Sequence, residues 1–576
     1  MLEEINSIEG LHKLKREQLP ALVNEIRELL ITRISQVGGH LASNLGIVEL
    51  TVAFHYVFDE QDKFVFDGSH QSYTHKILTG RADAFSRFKD TKEFSGLFDK
   101  YESKHDDFFI GHTSNSISLA CGLAKGRDIL KRTERIFAVI GDGSLSGSEA
   151  YSGLNNAAML GSQLGIIFND NEQSIASNFG GIYKHFEELR NSSGKGKNNF
   201  FTNLGFEYVY IENGNDVNNL INEFEKLKRC NHPIVIHVHT QKGYGYQPAM
   251  NNKEKFHFVD SFKIKTGDFL YDDVPGTYKR LVSDYLIKKV HECPDAMVLN
   301  SGIPTILDLV RFREILPNNY MDTGICEDST VSIAAGLSQQ GIFPIVLQLS
   351  SFSQRMYDQL AQDIALNRLP LLLIVEGAGF SNTNASHVGI FDIALFAHIP
   401  NFIYMTPRNG IDLCKMLDYA FETKSTIGIR IPNGQVHKDD YPVSEISNYQ
   451  YEIVQRGTKI VILALGDFFK IGIAVYKKLL LYGVKVTLIN PRFINVVDED
   501  TLTSLLDDHD LFVTIENSIK AGGFGSRICS FLSRYGVRIL TYSFDNIFYD
   551  RKNINQELEE RRMTEELIAE DILKNK

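Results

Sequence analysis

Two short stretches of the 576-residue chain carry the residue types from which a site for a charged ligand can be built. They are Gly141-Asp142-Gly143-Ser144 and, some way on, Asn169-Asp170-Asn171-Glu172-Gln173. A diphosphate is held poorly by neutral groups alone. A hard divalent cation that neutralises part of its charge needs oxygen ligands in near-octahedral geometry. Asp142 offers a carboxylate, Asn171 a side-chain carbonyl and Gln173 a backbone carbonyl, which leaves other positions to phosphate oxygens and water. The glycines flanking Asp142 permit a tight turn and close backbone approach, and a helix starting just after them offers amide donors to an anion. Gly141-x-Gly143 also opens a dinucleotide fingerprint. That pattern requires its third glycine where Ser146 stands, Gly147 comes one place late, and the Asn-Asp-Asn stretch goes unused. A nicotinamide site and a bare structural turn remain the alternatives to a metal–diphosphate site.

Elements that could position these residues follow from the apolar pattern. Residues 136–140 and 164–168 read as buried strands and 146–160 as a helix, a βαβ unit with Gly141-Asp142-Gly143 at the carboxyl end of its first strand. Ligands sit at that end in open α/β sheets. A second block follows the loosely patterned stretch 263–275, with strands at 342–349 and 369–375 and an amphipathic helix over 354–367. A third starts near Tyr451, with strands at 459–465, 484–489 and 511–515 and a helix over 470–481. The polar stretch 432–447 reads as a linker, and 191–199 as a mobile loop. The expected fold class is α/β, in three domains (1–270, 276–440 and 451–576), each with a mostly parallel sheet flanked by helices.

A chain of this length is expected to form three or four domains. A net charge of −12 and a pI near 5.8 argue against nucleic-acid and acidic-membrane partners, which favour basic surfaces. Local arginines in an acidic protein still suit a phosphorylated small molecule. The N-terminal residues 1–18 are charged and polar, and no stretch approaches the roughly 20 apolar residues of a membrane span. The cysteines Cys121, Cys230, Cys293, Cys326, Cys414 and Cys529 are scattered without a CxxC pair, which points to buried thiols and a cytoplasmic protein.

Ordered motifs along almost the whole chain resemble those of the transketolase-like thiamine-diphosphate enzymes, most closely the 1-deoxy-D-xylulose-5-phosphate synthases. They are Gly38-Gly39-His40-Leu41-Ala42-Ser43-Asn44, Asp67-Gly68-Ser69-His70-Gln71-Ser72-Tyr73, Gly111-His112-Thr113 and the stretches around Asp142 and Asn171. His239-Thr240-Gln241-Lys242-Gly243-Tyr244-Gly245-Tyr246, Phe352-Ser353-Gln354-Arg355 and Ala521-Gly522-Gly523-Phe524-Gly525-Ser526 follow. The resemblance implies a transferase that binds thiamine diphosphate and Mg2+. It would decarboxylate pyruvate and join the two-carbon unit to glyceraldehyde 3-phosphate, serving isoprenoid and thiamine biosynthesis. It also implies a homodimer with the active site between the first and second domains. In that case Gly522–Gly525 in the third domain is a turn.

Glu327 matches the family's cofactor-activating glutamate. A carboxyl group bonded to a ring nitrogen of the aminopyrimidine favours its imino tautomer, which removes the thiazolium C2 proton. His40 and His387 are expected to transfer protons, since imidazole titrates near neutrality. His70, Gly111, His112, Thr113, Gly143, Ser144, Asn171, Tyr246 and Phe352 are expected to contact the cofactor, with Phe352 against the aminopyrimidine. Asp142, Asn171 and Gln173 are expected on the metal, and His257, Arg355, Asn384 and Arg430 on substrate.

The acceptor side departs from the family. Arg430 matches one phosphate-gripping arginine, but the other falls at Gly377. The acceptor-orienting aspartate is Asn384, a channel tyrosine is Leu349, and the usual Glu-Gln-His is Glu327-Asp328-Ser329. A lost charge-assisted phosphate contact costs about 1.5–3 kcal/mol, enough to change the preferred aldehyde. The chain is also shortened around 191–199. A carboligase or transketolase with another acceptor is therefore the second reading. A cofactor-binding but inactive scaffold is the third, opposed by the retained Glu327, Asp142, Asn171, His40 and His70. A 2-oxo acid dehydrogenase component fits the whole-chain resemblance less well.

Overall fold

The computed structural model describes every residue except 1, 3, 4, 6, 90–92, 271–274, 448 and 576. The stretch 263–275, expected to separate the first two blocks, therefore lies partly outside the described residues. The chain divides into two compact units, Met1–Val274 with Thr323–Cys326, and Pro275–Asp322 with Glu327–Lys576.

The first unit is built on five parallel strands, β1 (Lys63–Phe66), β2 (Ile136–Gly141), β3 (Leu164–Asp170), β4 (Glu207–Ile211) and β5 (Pro233–His239), in the spatial order β1-β2-β3-β5-β4. Every residue of β3 is buried, as expected of a central parallel strand covered by helices on both faces. Burying side chains such as Ile166, Ile167 and Phe168 contributes about 1.5–3 kcal/mol each. The helix expected over 146–160 runs from Ser148 to Ala158. It starts late because Ser146 turns back, its hydroxyl donating to Gly143 O at 2.8 Å. The register pairs Gly141 with Asn169, so the two chemistry-bearing stretches leave adjacent strands at the same edge of the sheet.

The expectation of a mobile loop at 191–199 gives way to a hydrogen-bonded turn. Gly194 N donates to Leu189 O at 2.7 Å, closing the helix Gly181–Asn191. Buried Asn199 then caps the next short helix, its Oδ1 accepting from Phe201 N and Thr202 N. A cap of this kind is worth about 1 kcal/mol.

The second unit holds two sheets. One comprises six parallel strands, β6 (Ala296–Asn300), β7 (Tyr320–Asp322), β8 (Phe343–Leu349), β9 (Leu371–Glu376), β10 (Ile403–Met405) and β11 (Thr426–Ile431), ordered β10-β11-β9-β8-β6-β7. The other comprises β12 (Glu452–Gln455), β13 (Lys459–Ala464), β14 (Thr487–Asn490), β15 (His509–Ile519) and β16 (Arg538–Phe544), ordered β12-β14-β13-β15-β16, with only β12 antiparallel. The fold class is thus α/β. The helix expected over 354–367 is a succession of short 3-10, α and π segments. Buried polar ties join the two sheets, among them Arg492 to Asp412 at 3.0 Å and Asn517 Oδ1 to Phe380 N at 2.8 Å.

Candidate active site

In the first unit, Asp142 follows β2 directly and is buried. Its Oδ1 accepts from Gly143 N at 2.9 Å and its Oδ2 from Asn178 Nδ2 at 2.8 Å. Burial, with the charge of Asp170 adding, pushes the Asp142 carboxyl up to about 7. Asp170 behaves oppositely. Although burial raises it, His237 at 2.9 Å and Arg190 at 2.5 Å hold it below its ordinary range. Asp142 is thus a buried carboxylate whose charge the surrounding chain compensates poorly, the condition that a bound dication would relieve. Asn171, also buried, and Gln173 lie on the loop after β3, where Asn171 Oδ1 accepts from Gln173 N at 3.3 Å. The donor set is oxygen only, which fits Mg2+.

The loop containing Ser174 closes over Gly143. A Cβ added at Gly143 would stand 2.5 Å from Ser174 Oγ, so only glycine lets the two backbones approach this closely. Lys242 Nζ donates to Ser174 O, anchoring the same loop from the other side.

Gly111, His112 and Thr113 are brought to Ser144 by residues far away in sequence. Asp67, at the end of β1, accepts from Ser114 N at 2.7 Å and Ser116 N at 3.0 Å. Ser69 Oγ donates to Ile110 O at 2.5 Å, and Ser114 Oγ donates to Ser144 O at 2.8 Å. The loop 110–116 is therefore pinned at both ends.

Three histidines cluster beside it. The ring centroids of His40 and His70 are 5.2 Å apart, those of His40 and His257 5.6 Å, and those of His70 and His257 5.2 Å. Asn44 sets two of them. Its Nδ2 donates to His40 O at 2.9 Å and His70 O at 2.8 Å, and its Oδ1 accepts from Tyr73 N. His257 Nδ1 lies 3.3 Å from Ser43 Oγ and 3.1 Å from Lys242 Nζ. Burial, then the charge of Lys242, lowers His70 to about 4 and His257 well below its ordinary value. Burial lowers Lys242 itself to about 7. Near neutral pH His70 and His257 are therefore uncharged imidazoles. Tyr246 is placed differently: its hydroxyl donates to Ile264 O at 2.7 Å and its ring packs on Phe256 and Phe262. None of these contacts brings it to the histidines.

In the second unit, Glu327 is the first residue of the helix Glu327–Gln339 and is buried. Burial raises its carboxyl, an effect only partly offset by Arg355, whose Nη1 is 3.9 Å from Oε2. A buried carboxyl shifted in this direction holds a proton more readily, which suits a hydrogen bond to a ring nitrogen. Phe352 and Arg355 follow β8, and the Phe352 ring meets His387 edge-on at 5.3 Å. The His387 loop is held by the C-terminal region, through Ala385 N to Asp550 Oδ1 at 3.1 Å and Arg551 N to Thr383 O at 2.8 Å. Asn384 sits on this loop, its carbonyl accepting from His387 N at 2.8 Å.

Arg430 does not fit the substrate role expected of it. It is 2% exposed, and its Nε and Nη2 donate to the two oxygens of Asp392 at 2.7 and 3.1 Å. Nη2 also donates to Asn517 O at 3.1 Å, so the guanidinium is an internal strut between β11 and β15. Pairing with Asp392 occupies the Nε–Nη2 face of the guanidinium, one of the two faces that could grip a phosphate in bidentate fashion. Gly377 has φ +67°, and a Cβ there would meet the Asn433 amide at 3.2 Å. An arginine at this position would be strained by about 1 kcal/mol or more. Beside it, burial pushes Glu376 up to about 8.

The motif reading passed over Asn44, Asp67, Lys242, Asn178 and Glu376 as individual residues. Asn44, Asp67 and Lys242 lie inside matched motifs, whereas nothing local marks Asn178 or Glu376.

Family comparisons agree along the chain. A 1-deoxy-D-xylulose-5-phosphate synthase model matches residues 2–198 and 193–240, a transketolase pyrimidine-binding-domain model 283–438, and a transketolase C-terminal-domain model 450–548. A 1-deoxy-D-xylulose-5-phosphate synthase of Lachnoclostridium phytofermentans is 34% identical over 96% of this chain and 95% of its own length. One from Alkaliphilus oremlandii is 34% identical over 100% and 99%. A solved transketolase from Campylobacter jejuni is 15% identical over 97% of this chain and 100% of its own, with a TM-score of 0.45, too distant to bear on the site.

Proposed function

Because the chain belongs to the 1-deoxy-D-xylulose-5-phosphate synthase family, we propose that it is a transferase that decarboxylates pyruvate and joins the two-carbon unit to glyceraldehyde 3-phosphate, giving 1-deoxy-D-xylulose 5-phosphate. The observation that carries this reading is the combination in one chain of buried oxygen donors after β2 and β3 with the buried Glu327, whose carboxyl burial pushes up. When bound, thiamine diphosphate supplies a nucleophilic carbon and an electron sink for loss of carbon dioxide.

Asp142, Asn171 and Gln173 hold Mg2+, while Gly111, His112, Thr113, Gly143 and Ser144 receive the diphosphate. Glu327 hydrogen-bonds the aminopyrimidine and Phe352 packs on it. His40 and His387 move or hold protons at the substrate oxygens, uncharged His70 contacts the cofactor, and His257 and Arg355 orient the substrates. We assign residues 1–270 to diphosphate binding, 276–440 to the pyrimidine and 451–576 to support, in a cytoplasmic homodimer. No helix among the described residues is long and apolar enough to cross a membrane.

A second reading, with another aldehyde as acceptor, draws on one observation: Arg430 is paired with Asp392, and Gly377 itself has no side chain to offer a phosphate. Product identification from pyruvate with competing aldehydes tests both. Strong preference for glyceraldehyde 3-phosphate removes the second reading. Equal or better turnover of unphosphorylated aldehydes removes the first.

A further inference from the structure

Far from the residues discussed above, Glu207, Cys230 and His232 form the group of potential metal ligands that stands out among the described residues. One ligand atom from each lies within 4.8 Å of the others. Glu207 opens β4, and Cys230-Asn231-His232 is the turn that enters β5 at Pro233. Cys230 N donates to Leu227 O at 3.0 Å, which fixes the start of this turn. The parallel register pairs Glu207 with Ile234, so the carboxylate and the imidazole stand side by side at the amino edge of the sheet. Asp142 and Asn171 belong to the opposite, carboxyl edge.

The spacing suits a tetrahedral ion. His232 Nε2 is 3.8 Å from Cys230 Sγ and is also hydrogen-bonded to the Glu207 carboxylate. A zinc ion with sulfur at about 2.3 Å and nitrogen at about 2.0–2.1 Å holds those two donors roughly 3.6 Å apart, so coordination needs only small side-chain shifts. The Glu207 and His232 side chains are 48% and 57% exposed, which leaves an open approach for an ion and for a completing water.

We propose that Glu207, Cys230 and His232 form a binding site for a thiophilic divalent cation of the zinc class. Cys230 ligates as thiolate and gives its proton to solvent. His232 ligates through Nε2 as neutral imidazole, and Glu207 as carboxylate. The two anionic ligands balance the dication, and a water fills the fourth position. Sulfur and nitrogen donors disfavour Mg2+, which takes oxygen ligands, so the cation of the catalytic region does not compete here. The bound ion clamps β4 to β5 and shields Cys230 from alkylation. The opposing account is a surface His–Glu ion pair beside an unrelated thiol.

Cobalt(II) titration of the holoenzyme, saturated with thiamine diphosphate and Mg2+, separates the two accounts. A thiolate-to-cobalt charge-transfer band saturating at one ion per chain is expected. It should be lost in Cys230→Ser, and zinc should displace the cobalt. His232→Gln should weaken binding at least about tenfold, equivalent to about 1.4 kcal/mol. Turnover of pyruvate by both variants should equal that of the parent, which shows that they fold. Absence of the band, its persistence in Cys230→Ser, or saturation only at millimolar cobalt (an adventitious ion only) overturns the proposal.

Discussion

Replacing Arg430 with methionine is expected to damage the fold far more than it damages acceptor binding. The guanidinium and the Asp392 carboxylate are 2% and 0% exposed and share two hydrogen bonds, at 2.7 and 3.1 Å. Removing one partner of a buried pair leaves an uncompensated charge and costs about 3–5 kcal/mol. Tyr404 also donates its hydroxyl to Asp392, so the companion change is Asp392→Asn, which removes the charge and keeps an acceptor. Because the two residues touch, their effects do not add, and the double variant should recover most of the loss. Urea unfolding with cofactor and Mg2+ present measures the stability terms. Steady-state kinetics on the folded double variant then gives KM for glyceraldehyde 3-phosphate, expected to stay within about threefold of the parent, or roughly 0.7 kcal/mol. A phosphate ligand would instead raise KM roughly ten- to a hundredfold, the equivalent of about 1.5–3 kcal/mol. A stable Arg430→Met single variant with KM raised by that much would refute the assignment of Arg430 as an internal strut.

Gly143→Ala should weaken Mg2+-dependent thiamine diphosphate binding by calorimetry, because its Cβ would stand 2.5 Å from Ser174 Oγ and overpacking costs about 1–3 kcal/mol; unchanged affinity would show that the loop can move aside. Asn44→Ala leaves the carbonyls of His40 and His70 without their shared donor, at about 1–3 kcal/mol, and should lower kcat while the KM for pyruvate changes less. An unaltered kcat and pH profile would reduce Asn44 to a packing role. Glu376 gives a signed pH effect. Its folded value, about 8, lies above the ordinary glutamate value, so its contribution to stability is complete in acid and falls by about 1.4 kcal/mol per pH unit until about pH 8. Glu376→Gln should flatten the stability profile over that window, and an unchanged slope in urea denaturation would place the titration elsewhere.

Local sequence was sufficient wherever one segment carries the whole signal. The apolar runs that became β2, β3, β8 and β13 are short, uninterrupted and bounded by turn residues, and buried parallel strands leave no other pattern. The positions of Asp142, Asn171 and Gln173 at strand ends follow from the same runs, and their proposed role rests on a hard cation restricting its ligands to oxygen. The ends of the helices were less legible. Ser146 turning back onto Gly143 moves a helix start by two residues, and the π segment within 354–367 leaves no mark in the apolar period. The cap by Asn199 was missed because a Gly-, Ser-, Lys- and Asn-rich stretch reads as mobile until its buried partners are known.

By itself, the sequence determined the α/β class, the family and the residue types gathered around a diphosphate and its metal, since each rests on contiguous motifs. Which charges are free to act was decided only by tertiary structure. Arg430 has the same side chain whether it meets a phosphate or Asp392, and only the packing of β11 against β15 commits it to the second. His70, Lys242 and Glu376 likewise leave their ordinary pKa values through burial, which depends on everything packed around them.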